Sequence, residues 1–122
     1  MSELKFKRWF VEAWGDWLVR IEPRQGGDVG VSDLMVVVDR RLVPVELKLW
    51  SGGKVSEIRP SQKVWHRQAA GAGLVTLLVA GEAVRGGRWV AHCCLWNGLD
   101  WYRWERDGLR DGITEMVRNE KG

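Results

Sequence analysis

The sequence predicts an α/β fold in which a mixed β-sheet is flanked by helices within one compact domain, residues 1–122. A length of 122 residues is typical of a single domain. Apolar residues at helical spacing alternate along the chain with short apolar runs of strand length. The order strand, helix, strand over 42–48, 60–70 and 74–80 is a crossover unit, so these two strands should be parallel.

The first predicted element is a helix over residues 3–14. Phe6 and Phe10 recur at helical spacing, with charged residues between them. Ser2 is suited to the N-cap because its hydroxyl can accept a hydrogen bond from a first-turn amide. Gly15 is suited to end the helix because glycine adopts the backbone conformation that terminates helices.

A β-hairpin is predicted next. Residues 17–22 have the composition of a short strand, and residues 23–30 contain the proline and glycines of a loop. The apolar run 33–38 then pairs with residues 42–48 through a tight turn whose two central residues are Arg40 and Arg41.

The second half of the chain continues with further helices and strands. Pro60 fits the first position of a helix, and Gly71 and Gly73 fit its end. The predicted elements are loop 49–58, helix 60–70, strand 74–80, turn 81–87, strand 88–96, a strand near 101–104 and helix 112–119.

Composition excludes several classes of protein. Hydrophobic residues make up 45% and charged residues 29%, which excludes a disordered tail and a collagen-like fibre. No apolar run is long enough to span a membrane, and the first residues lack the apolar core of a signal peptide. Cys93 and Cys94 are neighbours, so in a strand they point to opposite faces and cannot easily pair or share a metal. We therefore expect a reducing, cytoplasmic setting without disulfides.

The net charge of +3 is concentrated in one segment. Residues 49–68 hold four cationic side chains against Glu57 alone, and the rest of the chain balances. An anionic partner such as phosphate would suit this segment, but a solvated basic helix face would have the same composition. The nine tryptophans are open to two interpretations as well: core packing, or exposed rings that stack on bases or lie at a subunit interface.

Charged side chains meet at the open end of the predicted hairpin. The expected register places Asp33 opposite Lys48 and Met35 opposite Glu46, with Glu46 and Lys48 on one face of the strand. Two carboxylates raise each other's pKa unless a cation lies between them, and oxygen ligands suit Mg²⁺ or Mn²⁺. The alternative is a structural ion pair of Lys48 with Asp33 or Glu46, and spacing alone does not choose between the two.

The order of these residues resembles a known nuclease pattern. Gly30-Val-Ser-Asp33 is followed after twelve residues by Glu46-Leu-Lys48, and then by Arg59-Pro-Ser-Gln62 and Trp65. This arrangement is similar to the PD-(D/E)XK nuclease superfamily, in particular to the small stand-alone phage or viral type of VRR-NUC domain. The resemblance covers roughly residues 3–80 and implies a restriction-endonuclease-like core. Ser32 departs from the family, which usually has proline at that position.

The resemblance implies a role for each matching residue. Asp33 and Glu46 match the carboxylates that hold Mg²⁺ or Mn²⁺, and the main-chain carbonyl of Leu47 matches a further oxygen ligand. Lys48 matches the lysine that holds the attacking water and stabilises the pentacoordinate phosphate. Gln62 matches the glutamine that reaches towards this centre, and its place in the third helical position also suits a capping role. The predicted catalytic residues are therefore Asp33, Glu46, Lys48 and Gln62.

The family's first-helix glutamate is best matched by Glu3, which we expect to be a further metal ligand. Glu12 is the competing candidate, but it lies near the other end of the helix. His66 shares a helix face with Gln62, and we expect it to be a partly exposed residue outside catalysis. The resemblance also implies a nucleic-acid-binding track of basic residues, namely Lys54, Arg59, Lys63 and Arg67, with Arg20 as a further contact.

The function that follows from the resemblance is a metal-dependent DNA endonuclease that cuts branched DNA, such as four-way Holliday junctions, as a homodimer. Its setting would be the cytoplasm of a bacterial or phage-infected host cell, without a membrane. The alternatives are a phage nuclease without junction preference, a non-catalytic nucleic-acid-binding protein on a nuclease fold, and a metal-free structural domain. The glycine-rich segments near 52 and 81–87 lack Gly-Lys-Ser/Thr, so no nucleotide cofactor is expected.

Overall fold

The computed structural model describes residues 2–20 and 34–120, and these form an α/β domain with a mixed sheet and helices on both of its faces. The predicted loop 23–30 and the position of Asp33 lie outside these residues. The described elements are α1 (Glu3–Trp14), β1 (Leu18–Arg20), β2 (Leu34–Val38), β3 (Arg41–Ser51), β4 (Lys54–Val55), α2 (Pro60–Gly71), β5 (Leu77–Val84), β6 (Arg88–Leu95), β7 (Tyr102–Trp104) and α3 (Leu109–Asn119).

Helix α1 confirms the prediction from apolar spacing. The Ser2 Oγ accepts a hydrogen bond of 3.1 Å from the amide of Lys5, as an N-cap serine does. Gly15 ends the helix with a φ of 85°, and its amide donates to the carbonyl of Val11 at 3.0 Å. The face at helical spacing is buried, so α1 packs against the sheet through Phe6, Phe10 and Trp14.

The described strands form one sheet in the order β1-β2-β3-β5-β6-β7, with β4 paired to the end of β3. β3 and β5 are parallel and are joined through α2, which confirms the predicted crossover. The remaining pairs are antiparallel. β3 therefore lies inside the sheet, and the ladder to β5 begins at Val45, one residue after Pro44, which has no amide hydrogen to contribute.

The hairpin register differs from the predicted one. Val38 pairs with Arg41, so the two central turn residues are Asp39 and Arg40, with φ values of 50° and 66°. Positive φ at both positions is the conformation of the tight turn that matches strand twist, and Asp tolerates it better than a bulky residue does. The shift places Met35 opposite Pro44 rather than opposite Glu46.

Three element boundaries were also predicted wrongly. Residues 49–58 are not a continuous loop, because β3 runs to Ser51 and turns back into β4. β5 begins at Leu77 and continues through Gly81, which the sequence suggested as a turn residue. α3 begins at Leu109 rather than at 112, so Gly112 lies inside the helix. A glycine is needed at this position because any side chain there would overlap the ring of Trp104.

The two faces of the sheet are covered by different helices. α1 and α3 contact each other and pack over β3 and β6, where the apolar core lies. α2 lies over the opposite face, where it contacts β3 through polar side chains. Along β3, alternation therefore directs Leu47 to the core and its neighbours Glu46 and Lys48 to the face under α2.

The tryptophans of the described residues differ in burial and in the rings that they contact. Trp14 is buried in the core, whereas Trp17 is 68% exposed. Trp50 stacks on His92 with ring centroids 4.0 Å apart, and Trp101 meets it edge-on. None of the helices in residues 2–20 and 34–120 is long and apolar enough to cross a membrane.

Candidate functional site

Two of the charged side chains on the inner strand β3 are buried. Glu46 is 1% exposed and Lys48 is 6% exposed. They are separated by Leu47, so both point to the α2 side of the sheet. Burying a carboxylate and an ammonium so close together is costly unless each has polar partners or serves a purpose.

Both oxygens of the Glu46 carboxylate accept a hydrogen bond from α2. The Gln62 amide Nε2 donates to Oε2 at 3.1 Å, and the His66 ring Nε2 lies 3.1 Å from Oε1. Gln62 is 4% exposed and His66 is completely buried. The two residues are four apart, which is one turn of helix, so they meet the same carboxylate from one helix face. These contacts offset the cost of removing the carboxylate from water.

Gln62 has two contacts that orient its amide. Its Oε1 accepts a hydrogen bond of 2.9 Å from the backbone amide of Arg59, the N-cap residue of α2. This bond satisfies an amide at the helix start, as the capping position suggested. Because Oε1 is held by Arg59, the amide nitrogen faces Glu46, so capping the helix and supporting the carboxylate are two parts of one arrangement.

Lys48 forms no ion pair with any carboxylate of the described residues. The alternative of a structural ion pair between Lys48 and Glu46 is therefore wrong, and a pair with Asp33 lies outside the described residues. Lys48 instead lines a cleft, where its ammonium can meet an anion that enters.

The cleft has a volume of about 770 Å³ and opens at the junction of α1, β3 and the start of α2. Its lining comes from these three elements and from the segment between β4 and α2. The residues are Glu3, Leu4, Lys7, Glu46, Leu47, Lys48, Leu49, Ser56, Glu57, Arg59 and Gln62. A cleft with a mixed lining that includes carboxylates and a buried lysine is typical of a site that binds a polar ligand.

The structure separates the two candidate glutamates of the first helix. Glu3 lines the cleft together with Glu46. Glu12 is 68% exposed and lies 3.7 Å from Arg106, away from the cleft. Of the two helix positions, Glu3 lines the same cleft as Glu46 and Glu12 does not.

The predicted basic track is divided. Arg59 lines the cleft, whereas Lys63 and Arg67 are exposed on α2 one turn apart and do not line it. Lys54 is exposed in β4, beyond the end of β3. Arg20 is exposed at the end of β1. The structure thus places one of these basic residues at the cleft and leaves the others exposed on the surface without lining it.

His66 was missed as a member of this cluster. It was expected to be partly exposed, but it is completely buried against Glu46, because a buried carboxylate needs a second donor. Its ring stacks on Trp96 with centroids 4.5 Å apart and meets Trp65 edge-on at 4.9 Å. The signal available in the sequence was the spacing of four from Gln62 on the same helix face.

Oxygen donors in the cleft fit a hard divalent cation. Glu3, Glu46 and Leu47 line it, and carboxylate and carbonyl oxygens are the ligands that such a cation prefers. Within residues 2–20 and 34–120, no group of three or more His, Cys, Asp or Glu side chains is placed to hold a metal ion. Asp33, the further predicted ligand, lies outside that part.

Similarity to known proteins adds no assignment for this cleft. Comparison of the chain with protein-family models, with curated proteins and with solved structures finds no match. What the cleft can do chemically is therefore set out from the residues that line it.

Proposed function

We propose that the protein is a metal-dependent DNA endonuclease that hydrolyses phosphodiester bonds in this cleft. The observation that carries the proposal is the meeting of a hydrogen-bonded carboxylate, Glu46, with a buried lysine that has no described carboxylate partner, Lys48, in one open cleft. Glu3 and Gln62 reach the same cleft from two different helices. The order of these residues is also that of the PD-(D/E)XK pattern, with Asp33 upstream.

The residues that would hold Mg²⁺ or Mn²⁺ are Asp33, Glu46, Glu3 and the carbonyl of Leu47. When bound, such a cation lowers the pKa of a coordinated water and neutralises charge on phosphate oxygens. Lys48 supplies an ammonium that orients the attacking water and offsets the charge that develops on the phosphate. The water oxygen bonds to phosphorus as the bond to the 3′ oxygen breaks, which leaves a 3′ hydroxyl and a 5′ phosphate.

The surface around the cleft supports a polyanionic substrate. Arg59 lies in the cleft, and Lys63 and Arg67 extend from it along the exposed side of α2. Contacts from such side chains go to phosphates and hold the backbone without reading the sequence. Specificity would then come from the shape of the DNA. We propose branched DNA as the substrate and a homodimer as the active form, since two symmetric sites suit two symmetric incisions.

A cleavage assay tests this function. The wild-type protein is incubated with a four-way junction, linear duplex and single strands of equal length, with and without Mg²⁺. Junction cleavage that requires Mg²⁺ is the expected result. Cleavage of linear duplex with intact junctions would refute the substrate class and keep the nuclease. DNA binding without any cleavage would favour the non-catalytic alternative.

Matched variants test the residue roles. Asp33→Asn and Lys48→Met should each lower kcat by about 100-fold or more, because each removes a charge that acts at the reacting phosphate. Glu3→Gln should lower activity, whereas Glu12→Gln, on the same helix but outside the cleft, should not. Unchanged activity in Lys48→Met would show that the catalytic assignment is wrong. Equal loss in the two glutamate variants would argue against Glu3 as a ligand.

A further inference from the structure

His66 has no part in the proposed machinery, yet it has the most enclosed position in the cluster. The residue is completely buried, and its Nε2 lies 3.1 Å from Oε1 of Glu46. The other oxygen of that carboxylate is already bonded to Gln62. A single donor would be enough to hold a carboxylate near α2, but two donors on its two oxygens restrict how it can rotate.

The aromatic rings around His66 fix the direction in which its ring Nε2 points towards Glu46. Trp96 stacks on one face of the imidazole at an interplanar angle of 20°, and Trp65 meets it edge-on at 78°. These contacts come from two elements, since Trp65 is in α2 and Trp96 directly follows β6. The ring is therefore held between a helix and the end of a strand. A histidine packed in this way can hold a hydrogen-bond partner in one place.

We propose that His66 is a positioning residue that holds the Glu46 carboxylate in the orientation in which it lines the cleft, so that it can bind a divalent cation. This inference rests on the proposed function and extends it to a residue outside the PD-(D/E)XK pattern. His66 acts through Glu46 and does not touch the substrate. Its loss should therefore weaken cation binding and lower kcat, while the KM for DNA stays unchanged.

The test compares two substitutions of His66 with the same substitution of the other histidine. His66→Phe keeps a flat ring for Trp96 but removes the donor to Glu46. His66→Gln keeps an amide donor. His92→Phe is the matched control, because His92 also stacks on a tryptophan and bonds a glutamate, Glu82, at 2.9 Å, but Glu82, unlike Glu46, does not line the cleft. Mn²⁺ binding is measured by calorimetry without DNA. The kcat and KM are measured with whichever DNA substrate the wild-type protein cleaves.

Weakening of Mn²⁺ affinity by about 10- to 100-fold in His66→Phe is the expected result, with recovery in His66→Gln and no change in His92→Phe. If the wild type binds Mn²⁺ and His66→Phe binds it equally well, the inference is overturned and the proposed function stands. If the wild type neither binds Mn²⁺ nor cleaves DNA, both are overturned.

A measurement on the wild-type chain applies if His66→Phe does not fold. In ¹⁵N NMR spectra, Mg²⁺ should shift the Nε2 resonance of His66, because its hydrogen-bond partner would then share charge with the cation, and should leave that of His92 in place. Absence of a shift at His66 under conditions of Mg²⁺-dependent cleavage would overturn the inference.

Discussion

Replacing Gly81 with alanine should destabilise the protein by pushing α1 away from the sheet. Gly81 lies in β5 between Leu49 of β3 and Ala91 of β6, and it faces the ring of Phe6. A Cβ atom built there would overlap three ring atoms of Phe6, well inside the 3.0 Å that real Cβ contacts essentially never cross. The glycine is thus required by the close approach of a helix and not by its own backbone conformation.

The magnitude follows from the overlap. Carbon atoms pack at about 3.5–4.0 Å, so the ring and its helix must retreat by on the order of 1 Å. Overpacking of this kind costs about 1–3 kcal/mol. With a urea m-value of about 1–3 kcal/mol per molar, the unfolding midpoint should fall by on the order of 1 M. Because α1 also carries Glu3, the retreat should reach the cleft.

Urea unfolding followed by tryptophan fluorescence measures the effect. The matched control is Gly71→Ala, because a Cβ atom at Gly71 has no neighbour within 4 Å, and it should change stability by less than about 1 kcal/mol. The double variant with Phe6→Leu should lose less stability than the two single losses added together, since the smaller side chain gives space to the new methyl group. Additive losses, or no loss in Gly81→Ala, would refute the overlap argument.

Two further predictions concern the backbone and the buried thiols. Arg40→Gly should raise the free energy of unfolding by about 0.5–1 kcal/mol in urea denaturation, because Arg40 has a φ of 66° and glycine adopts it without strain; a loss would contradict the turn assignment. Burial raises the pKa of the Cys93 thiol, so as the pH rises this thiol ionises in the unfolded chain before it ionises in the folded one. The contribution of Cys93 to the free energy of unfolding is therefore fully present below the unfolded thiol pKa of about 8.5 and falls as the pH rises above it. At about pH 9.5 the loss from Cys93 should be about 1.4 kcal/mol, and Cys93→Ala should flatten the pH profile of the free energy of unfolding by that amount; identical profiles would refute this.

Much of the fold follows from local patterns. The apolar spacing in α1 predicted its length, and the crossover order predicted the parallel pair β3 and β5. One boundary error came from a glycine, because the sequence suggested Gly81 as a turn residue and the structure has it inside β5. Gly81 and Gly112 are instead required because rings of Phe6 and Trp104 lie against the backbone there. Such contacts join residues far apart in sequence, so no local pattern shows them.

The candidate site was predictable where it depends on strand alternation and on the capping position of Gln62. Alternation placed Glu46 and Lys48 on one face, and the structure has them there. The hairpin register was predicted wrongly because it depends on which two residues form the turn. Moving the turn by one residue along the chain shifts each residue's partner on the opposite strand by two positions. The role of His66 depends on a buried partner from another element, and hydropathy patterns contain no information about which polar residue will face which.

The hydrogen bonds of Glu46 join residues that are close in sequence as well as in space. Gln62 and His66 are only 16 and 20 positions away, within the crossover unit of β3, α2 and β5. Loop closure over so short a span costs little entropy, so this cluster can assemble early in folding. Its amides should also exchange their hydrogens together in the native state, as one cooperative unit, when the crossover opens.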